Sequence, residues 1–225
     1  MTGLESLPQV ITAIGGLGTA AFGLVDATKA LGGGVNHIGF RAIKTTVKAL
    51  TPGTPANALS QEKILATLQA NWFNGTDLSS QKSIAKSLIK LNLNPSNAAT
   101  LAGATGVDAG DLAKIATNIE KGDPLDPPLG DVYSRFDLIV TALLDETYQR
   151  SDQVYRNWTR AIAAVFAVAL ALVGGFMLHT SGKPSLHEIG QFLMVGLLAT
   201  PLAPIAKDLS TALATAVNTL QLVKK

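Results

Sequence analysis

AIAAVFAVALALVGGFML, residues 161–178, carries no charged side chain, and its reading decides the fold. Eighteen residues of helix at 1.5 Å rise cover roughly 27 Å, close to the ~30 Å hydrocarbon thickness of a bilayer. Working upstream, neither Pro nor Gly interrupts Asp131–Val173, and Gly174-Gly175 comes only near the end. The pattern predicts one helix over 131–178, about 70 Å long, with its second half in lipid. Arg150, Arg156 and Arg160 gather just before the apolar run, with Tyr148, Tyr155 and Trp158 among them. Aromatic rings and basic heads at the edge of a span are interfacial anchors, so Tyr155, Arg156, Trp158 and Arg160 are expected at the membrane surface.

Further upstream, Phe136, Val140, Leu143, Thr147, Arg150, Val154 and Trp158 recur at near-heptad spacing, broken by polar Thr147 and Arg150. This predicts a helix packed on its own domain through its first half and on a partner through its second. Phe136, Leu143 and Arg150 are the candidate partner surface. Asp137, Asp145, Glu146 and Asp152 line the same segment. Salt bridges to Arg135, Arg150 and Arg156 are expected rather than a di-metal site, which in helical bundles uses Glu-x-x-His.

Downstream, HTSGKPSLHE (179–188) reads as a short polar loop, and Ile189–Ala206 is again uncharged and long enough to span. The two runs predict a helical hairpin in the membrane. Pro201 and Pro204 in TPLAP are expected to kink or loosen the second member. Loosened backbone in lipid must face protein or water, so this segment either lines a pathway or packs on the first span. Lys207-Asp208 marks the exit. Leu209, Leu213, Ala216, Leu220 and Val223 then form one stripe of an amphipathic helix ending in Lys224-Lys225.

The opening MTGLESLPQ lacks the basic start of a secretory signal peptide. Val10–Val25 is uncharged and slightly short for a span, but its flanks can extend it. Gly15, Thr19 and Gly23 form a small-xxx-small ridge, expected to let another helix approach closely. Asp26 and Lys29 follow on one face, either as a pair at the interface or as part of an ion pathway. Gly32-Gly33-Gly34 is read as a hinge, since no strand precedes it and no Lys-Ser/Thr follows it to make a phosphate loop. In Val35–Leu50, Phe40, Ile43, Val47 and Leu50 lie beside a basic row of Arg41, Lys44 and Lys48. This predicts a helix lying on an anionic leaflet with its apolar side down; the alternative is packing on protein with a solvated basic face.

Thr51–Asn57 reads as a Pro/Gly linker, followed by a small helical domain. Ser60–Trp72 is expected to bury Ile64, Leu65 and Leu68. A helix capped by Ser79 or Ser80 is expected to bury Ile84, Leu88 and Leu91, leaving Lys82, Lys86 and Lys90 on a solvated face. A short Ala-rich helix follows Asn94-Pro95-Ser96. Another is capped by Asp108 and stopped by Gly122, with Leu112, Ile115 and Ile119 inward. Asp123–Asp131 (DPLDPPLGD) is a Pro-rich turn; its carboxylates do not follow the ligand spacing of an EF-hand, and a metal-binding module there is the weakest alternative.

Composition agrees with membrane residence. Only 15% of the 225 residues are charged, against about 25% in soluble domains. There is no Cys, which excludes disulfides, Cys-ligated metals and thiol catalysis, and the three His are scattered. A formal net charge of +2 and 5% aromatics give no argument for nucleic acid as a partner. No cofactor motif and no catalytic constellation is present.

At the membrane junction Phe136, Asp137, Leu144, Asp145, Tyr155, Arg156 and Arg160 are followed, in the later span, by Thr200, Pro201, Leu202 and Ala203. In this FD…LD…Y…R order, covering the C-terminal third, the chain resembles a group of poorly characterised bacterial inner-membrane proteins. The resemblance implies a bacterial membrane protein of unknown role and carries no catalytic residue.

The expected organisation is all-α with about three spans: an N-terminal transmembrane helix (1–34), a basic interfacial helix (35–50), and a helical cytoplasmic domain (58–130). A long helix entering the membrane (131–178), a loop with the last span (179–206), and an amphipathic C-terminal helix (207–225) follow. Basic residues concentrate on one side against a single Lys183 in the hairpin loop, placing the N-terminus outside and the middle domain and C-terminus in the cytoplasm. The expected partners are the lipid bilayer and further copies or subunits of a membrane complex, in a non-enzymatic structural, anchoring or assembly role. An oligomeric pore is the first alternative.

Overall fold

A computed structural model describes residues 7–53, 60–179 and 183–223; for 7–9 and 205–223 only the helix path is described. Among the described residues there are eight helices and no strand: α1 Leu7–Ala30, α2 Val35–Leu50, α3 Gln61–Phe73, α4 Leu78–Asn92, α5 Ala98–Thr105, α6 Ala109–Lys121, α7 Pro127–Leu178 and α8 Leu186–Val223. The chain is an all-α membrane protein, with three helices long and apolar enough to cross a bilayer: Val10–Ala30, Leu186–Pro204, and α7 through its apolar part. It divides into two compact units, Asn36–Tyr155 and the remainder, Met1–Val35 with Arg156–Lys225.

Within the unit Asn36–Tyr155, sequence signals and caps largely agree. Ser60 accepts from the Lys63 amide at 3.4 Å and Asp108 from the Asp111 amide at 2.9 Å, satisfying donors that a helix start leaves open. The cap of α4 is Asp77, not Ser79 or Ser80; its carboxylate accepts from the Ser80 amide at 2.9 Å and the Ser79 hydroxyl at 2.6 Å. Those two serines hold the Asp77 carboxyl below the usual carboxylate range, the Ser79 hydroxyl most strongly. Gly106 and Gly122 end α5 and α6 with positive φ of 69° and 75°, the conformation a helix stop requires.

The core of this unit joins Phe40, Ile43, Val47 and Leu50 of α2 to Ile64 and Leu68 of α3, Leu112 and Ile115 of α6, and Phe136, Val140, Leu144 and Tyr148 of α7. The unit is therefore wider than 58–130. The apolar side of α2 rests on protein, so the expectation that this side lies on a leaflet is corrected; Arg41, Lys44 and Lys48 stay exposed. Gly39 lets α2 come close: a Cβ there would sit 2.6 Å from the Trp72 ring and 2.9 Å from the Tyr155 Cβ. Trp72 donates its indole N–H to the Asn36 carbonyl at 3.0 Å.

Two helix faces differ from the sequence pattern. On α4 the buried residues are Gln81, Ala85, Ile89 and Asn92, while Leu91 is 68% exposed and Ile84 and Leu88 are half-buried. On α7 the residues buried in this unit are Phe136, Val140, Leu144, Thr147, Tyr148 and Ser151. Thr147 of the expected stripe is therefore buried, its hydroxyl 3.0 Å from that of Thr46, while Leu144 and Tyr148 join it. Phe136 and Leu143 are thus taken up by their own domain, and Arg150 points outward. The helix also starts at Pro127 rather than at Asp131, with Pro127 and Pro128 in the first turn, where a missing N–H removes no bond. Ile119 of α6 is half-exposed rather than inward.

In the other unit small residues set the packing. A Cβ on Gly18 of α1 would lie 2.1 Å from the Ala199 carbonyl oxygen and 2.8 Å from the Ala203 Cβ, both on α8. A Cβ on Gly196 of α8 would lie 2.5 Å from the Val168 Cα of α7. Ala21, Ala167 and Ala199 meet as a buried cluster, flanked by Ile14, Leu17 and Phe166. The α1 seam is therefore Gly15, Gly18, Ala21 and Val25, not Gly15, Thr19 and Gly23. Thr19 is exposed and returns its hydroxyl to the Gly15 carbonyl at 3.0 Å. Gly32, Gly33 and Gly34 take φ of 143°, 86° and 44°, which L side chains rarely adopt, and so end α1 as a turn.

α8 runs unbroken through Pro201 and Pro204, correcting the separate C-terminal helix expected from 207. The missing amides leave the Leu197 and Thr200 carbonyls without their intrahelical donors. Both prolines are exposed, opposite the seam formed by Gly196, Ala199 and Ala203. The stripe Leu209–Val223, the linker at 54–57 and Lys224-Lys225 lie outside the residues whose side chains are described.

Candidate interaction surface

The polar surface of the unit Asn36–Tyr155 has two contrasting faces. Along the first, α4 is laid against α7 by a ladder of ion pairs. Lys90 reaches Asp137 at 2.9 Å and Lys86 reaches the other oxygen of Asp137 at 3.0 Å. Lys82 pairs with Asp145, and Lys86 also bonds the Thr141 hydroxyl at 3.3 Å. Lys90 sits 4.9 Å above the Tyr133 ring, adding a cation–π contact. The Lys90 bond, seconded by Lys86, holds the Asp137 carboxyl below its usual range against burial; the same bond to Asp137 raises Lys90. The expectation of a solvated lysine row is therefore corrected. So is the pairing of Asp137 and Asp145 with arginines: their partners come from a neighbouring helix, which spacing along α7 alone does not encode. Glu146 pairs with Arg150 at 3.2 Å as expected, on the outside of the helix.

An open groove of about 320 Å³ lies along this ladder, lined by Ser79, Lys82, Ser83, Lys86, Thr141, Leu144 and Asp145. Each of its cations is paired with a carboxylate beside it. The ladder's chemistry is that of a clamp between two helices.

The second face is the outer side of α2. Arg41, Lys44 and Lys48 are exposed, and no carboxylate bridges them among the described residues. Between α2 and α3 runs a groove of about 360 Å³, walled by Lys44, Lys48, Gln61, Glu62 and Gln69 over a floor of Phe40, Leu65 and Ala66. Gln61 fixes one end by donating to the Lys48 carbonyl at 3.2 Å and the Thr51 carbonyl at 2.6 Å, acceptors that the end of α2 leaves open. Sequence spacing identified the cations; the groove beside them depends on where α3 returns.

Of the other candidate residues, Tyr155 packs edge-on to Trp72 with centroids 6.0 Å apart, so its ring is engaged with its own domain. Arg156, Trp158 and Arg160 are exposed. Asp26 is 69% exposed and pairs with Lys29 at 2.6 Å, an arrangement that suits a surface pair rather than a buried pathway. Asp123, Asp126 and Asp131 are all exposed, and no group of three or more metal-ligating side chains gathers among the described residues. The sequence reading missed three buried hydroxyl or amide oxygens without partners in this unit: Gln81 Oε1, Tyr148 Oη and Ser151 Oγ. Nothing in the spacing of these residues marks them.

No protein family, no curated protein and no solved structure matches the chain.

Proposed function

We propose that the protein is a non-enzymatic structural or anchoring component of an oligomeric complex in the bacterial inner membrane. Its N-terminus lies outside, and the helical unit and the C-terminus lie in the cytoplasm. The observation that carries the reading is on α1. While Gly15, Gly18 and Ala21 face the seam with α8, the opposite side presents Gly16, Ala20, Gly23 and Ala27, all exposed, with open space where a Cβ on Gly16 or Gly23 would stand. Two small-residue ridges on one apolar helix suit it to pack on two neighbours at once, because small residues let backbones approach in lipid. Gly23 belongs to the outer ridge, which fits contact between copies. The folded unit, with its lysines clamped to aspartates, fits a rigid module carried by that assembly. The resemblance to bacterial inner-membrane proteins supports the location.

The chain has no native Cys, so single cysteines are clean probes. Oxidative cross-linking of Gly23→Cys in membranes is expected to give covalent dimers. Absence of dimers from both Gly23→Cys and Gly16→Cys would reject the outer ridge. A pore is the second reading, supported by the carbonyls that Pro201 and Pro204 leave open in an apolar helix. It requires ion flux in liposomes that Pro201→Ala alters; no flux under any condition sinks it.

A further inference from the structure

We infer that the α2–α3 groove is a docking site for the phosphate-bearing headgroup of an anionic membrane lipid; this deepens the membrane-anchoring reading above and rests on it. The lysines of α4 are paired with Asp137 or Asp145, but Arg41, Lys44 and Lys48 stand exposed without a bridging carboxylate among the described residues. Stacked at positions three and four apart, they line one side of a helix and present a single sign of charge. A phosphate is the complementary group, and Lys and Arg supply charge-assisted donors to it. The groove beside Lys44 and Lys48 has the volume of a small-ligand site and a mixed lining: apolar Phe40, Leu65 and Ala66 below, with Gln61 and Gln69 at the walls. Such a lining suits an amphiphile better than a bare anion. Glu62 on the opposite wall opposes the two lysines in part and leaves the groove net positive.

The membrane as source, rather than a nucleic acid or an acidic protein, follows from position in the chain. All three cations fall within the roughly 15–20 residues past a span over which basic side chains feel the leaflet. α1 ends at Ala30 and α2 starts at Val35. The mode of contact is also fixed. Because Phe40, Ile43, Val47 and Leu50 are committed to the protein core, α2 has no apolar side left to insert. Contact is by charge and by seating of the lipid in the groove, with no insertion of α2 into the bilayer, and is therefore sensitive to salt.

The test uses the full-length chain in non-ionic detergent, titrated with short-chain phosphatidylglycerol, with phosphatidylcholine, with inorganic phosphate and with a single-stranded RNA oligonucleotide, and read by native mass spectrometry. Wild type is expected to retain phosphatidylglycerol and to lose it as salt rises. Arg41→Gln/Lys44→Gln/Lys48→Gln should bind it on the order of 100-fold more weakly, since each basic residue contributes roughly fivefold at an anionic surface. Lys63→Gln/Lys121→Gln should bind as wild type. Circular dichroism checks that the triple variant keeps its helices; Lys44→Arg/Lys48→Arg is a second, charge-retaining variant expected to keep binding. Equal retention of phosphatidylcholine, unchanged binding by the folded triple variant, or binding of phosphate or RNA in preference to the lipid would each overturn the site. The same spectra give the number of chains per particle, so failure of lipid binding and failure of the assembly reading are seen separately.

Discussion

Gly18 offers a sharp test of the packing. In Gly18→Ala the new Cβ stands 2.1 Å from the Ala199 carbonyl oxygen and 2.8 Å from the carbonyl carbon, both backbone atoms that no rotamer change can move. A carbon and a carbonyl oxygen settle at about 3.3 Å, so α1 and α8 must part by roughly 1 Å. A gap of that size forfeits a quarter to a half of each contact along the seam. Overpacking of this kind costs about 1–3 kcal/mol, and the helix propensity of Ala returns up to ~1 kcal/mol. The expected loss is about 1–2 kcal/mol, and larger for Gly18→Leu. Gly174→Ala and Gly190→Ala, with nothing within 4 Å of the new carbon and away from the outer ridge of α1, are the internal controls and should leave stability level or slightly raised. The assay is reversible unfolding of the full chain in mixed micelles against added SDS, followed by circular dichroism. If Gly18→Ala unfolds with the wild-type midpoint, the seam has been assigned to the wrong face.

Three further outcomes follow from the helical unit. Asp137→Asn removes the acceptor of Lys86 and Lys90 and should lower stability by about 1–2 kcal/mol, the pairs being partly solvated. Because the Asp137 carboxyl is depressed, its contribution is complete above the unfolded value near pH 4 and is lost as pH falls through the lower folded value. Lys90 is raised, so its share is complete below the unfolded value near pH 10.4 and is lost only as pH rises through the higher folded value. The gap between wild type and Asp137→Asn in thermal melts should hold from about pH 5 to 9 and close in acid; a gap unchanged at pH 2 would contradict the ladder. Tyr148→Phe deletes a buried hydroxyl that has no partner, and should be neutral or stabilising by up to ~1 kcal/mol in the same melts; a clear loss would refute that. Arg150→Ala removes only an exposed pair with Glu146 and should shift stability by less than ~0.5 kcal/mol, so a large drop would mean the side chain has a structural partner.

What the sequence made legible was whatever depends on neighbours along the chain. The uncharged runs, the cap at Asp108, the stop at Gly122 and the helix break at Gly32–Gly34 all rest on local chemistry, and all are present. The faces that helices turn to one another were harder to read. On α4 a rotation by one residue exchanges Ile84, Leu88 and Leu91 for Ala85 and Ile89. It is favoured because three lysines then reach two aspartates of α7, a gain that no feature within α4 announces. On α1, Gly15, Gly18 and Gly23 all look like packing residues, and only the position of Ala199 separates the inner ridge from the outer. The α2 pattern was amphipathic enough for lipid or protein alike, and the core of Ile64, Leu68 and Tyr148 took its apolar side. The groove beside Lys44 and Lys48 could not be read from α2 because its other wall is α3.

The central claim is that this three-span chain assembles with its own kind through the outer face of α1. Particle imaging of the full chain in mild detergent tests it most directly. The account predicts closed particles of several copies, with Gly16 and Gly23 of one copy against α1 of the next, and dissociation on Gly23→Leu. Single-chain particles at every concentration, or an assembly whose contacts leave this face in lipid, would contradict it.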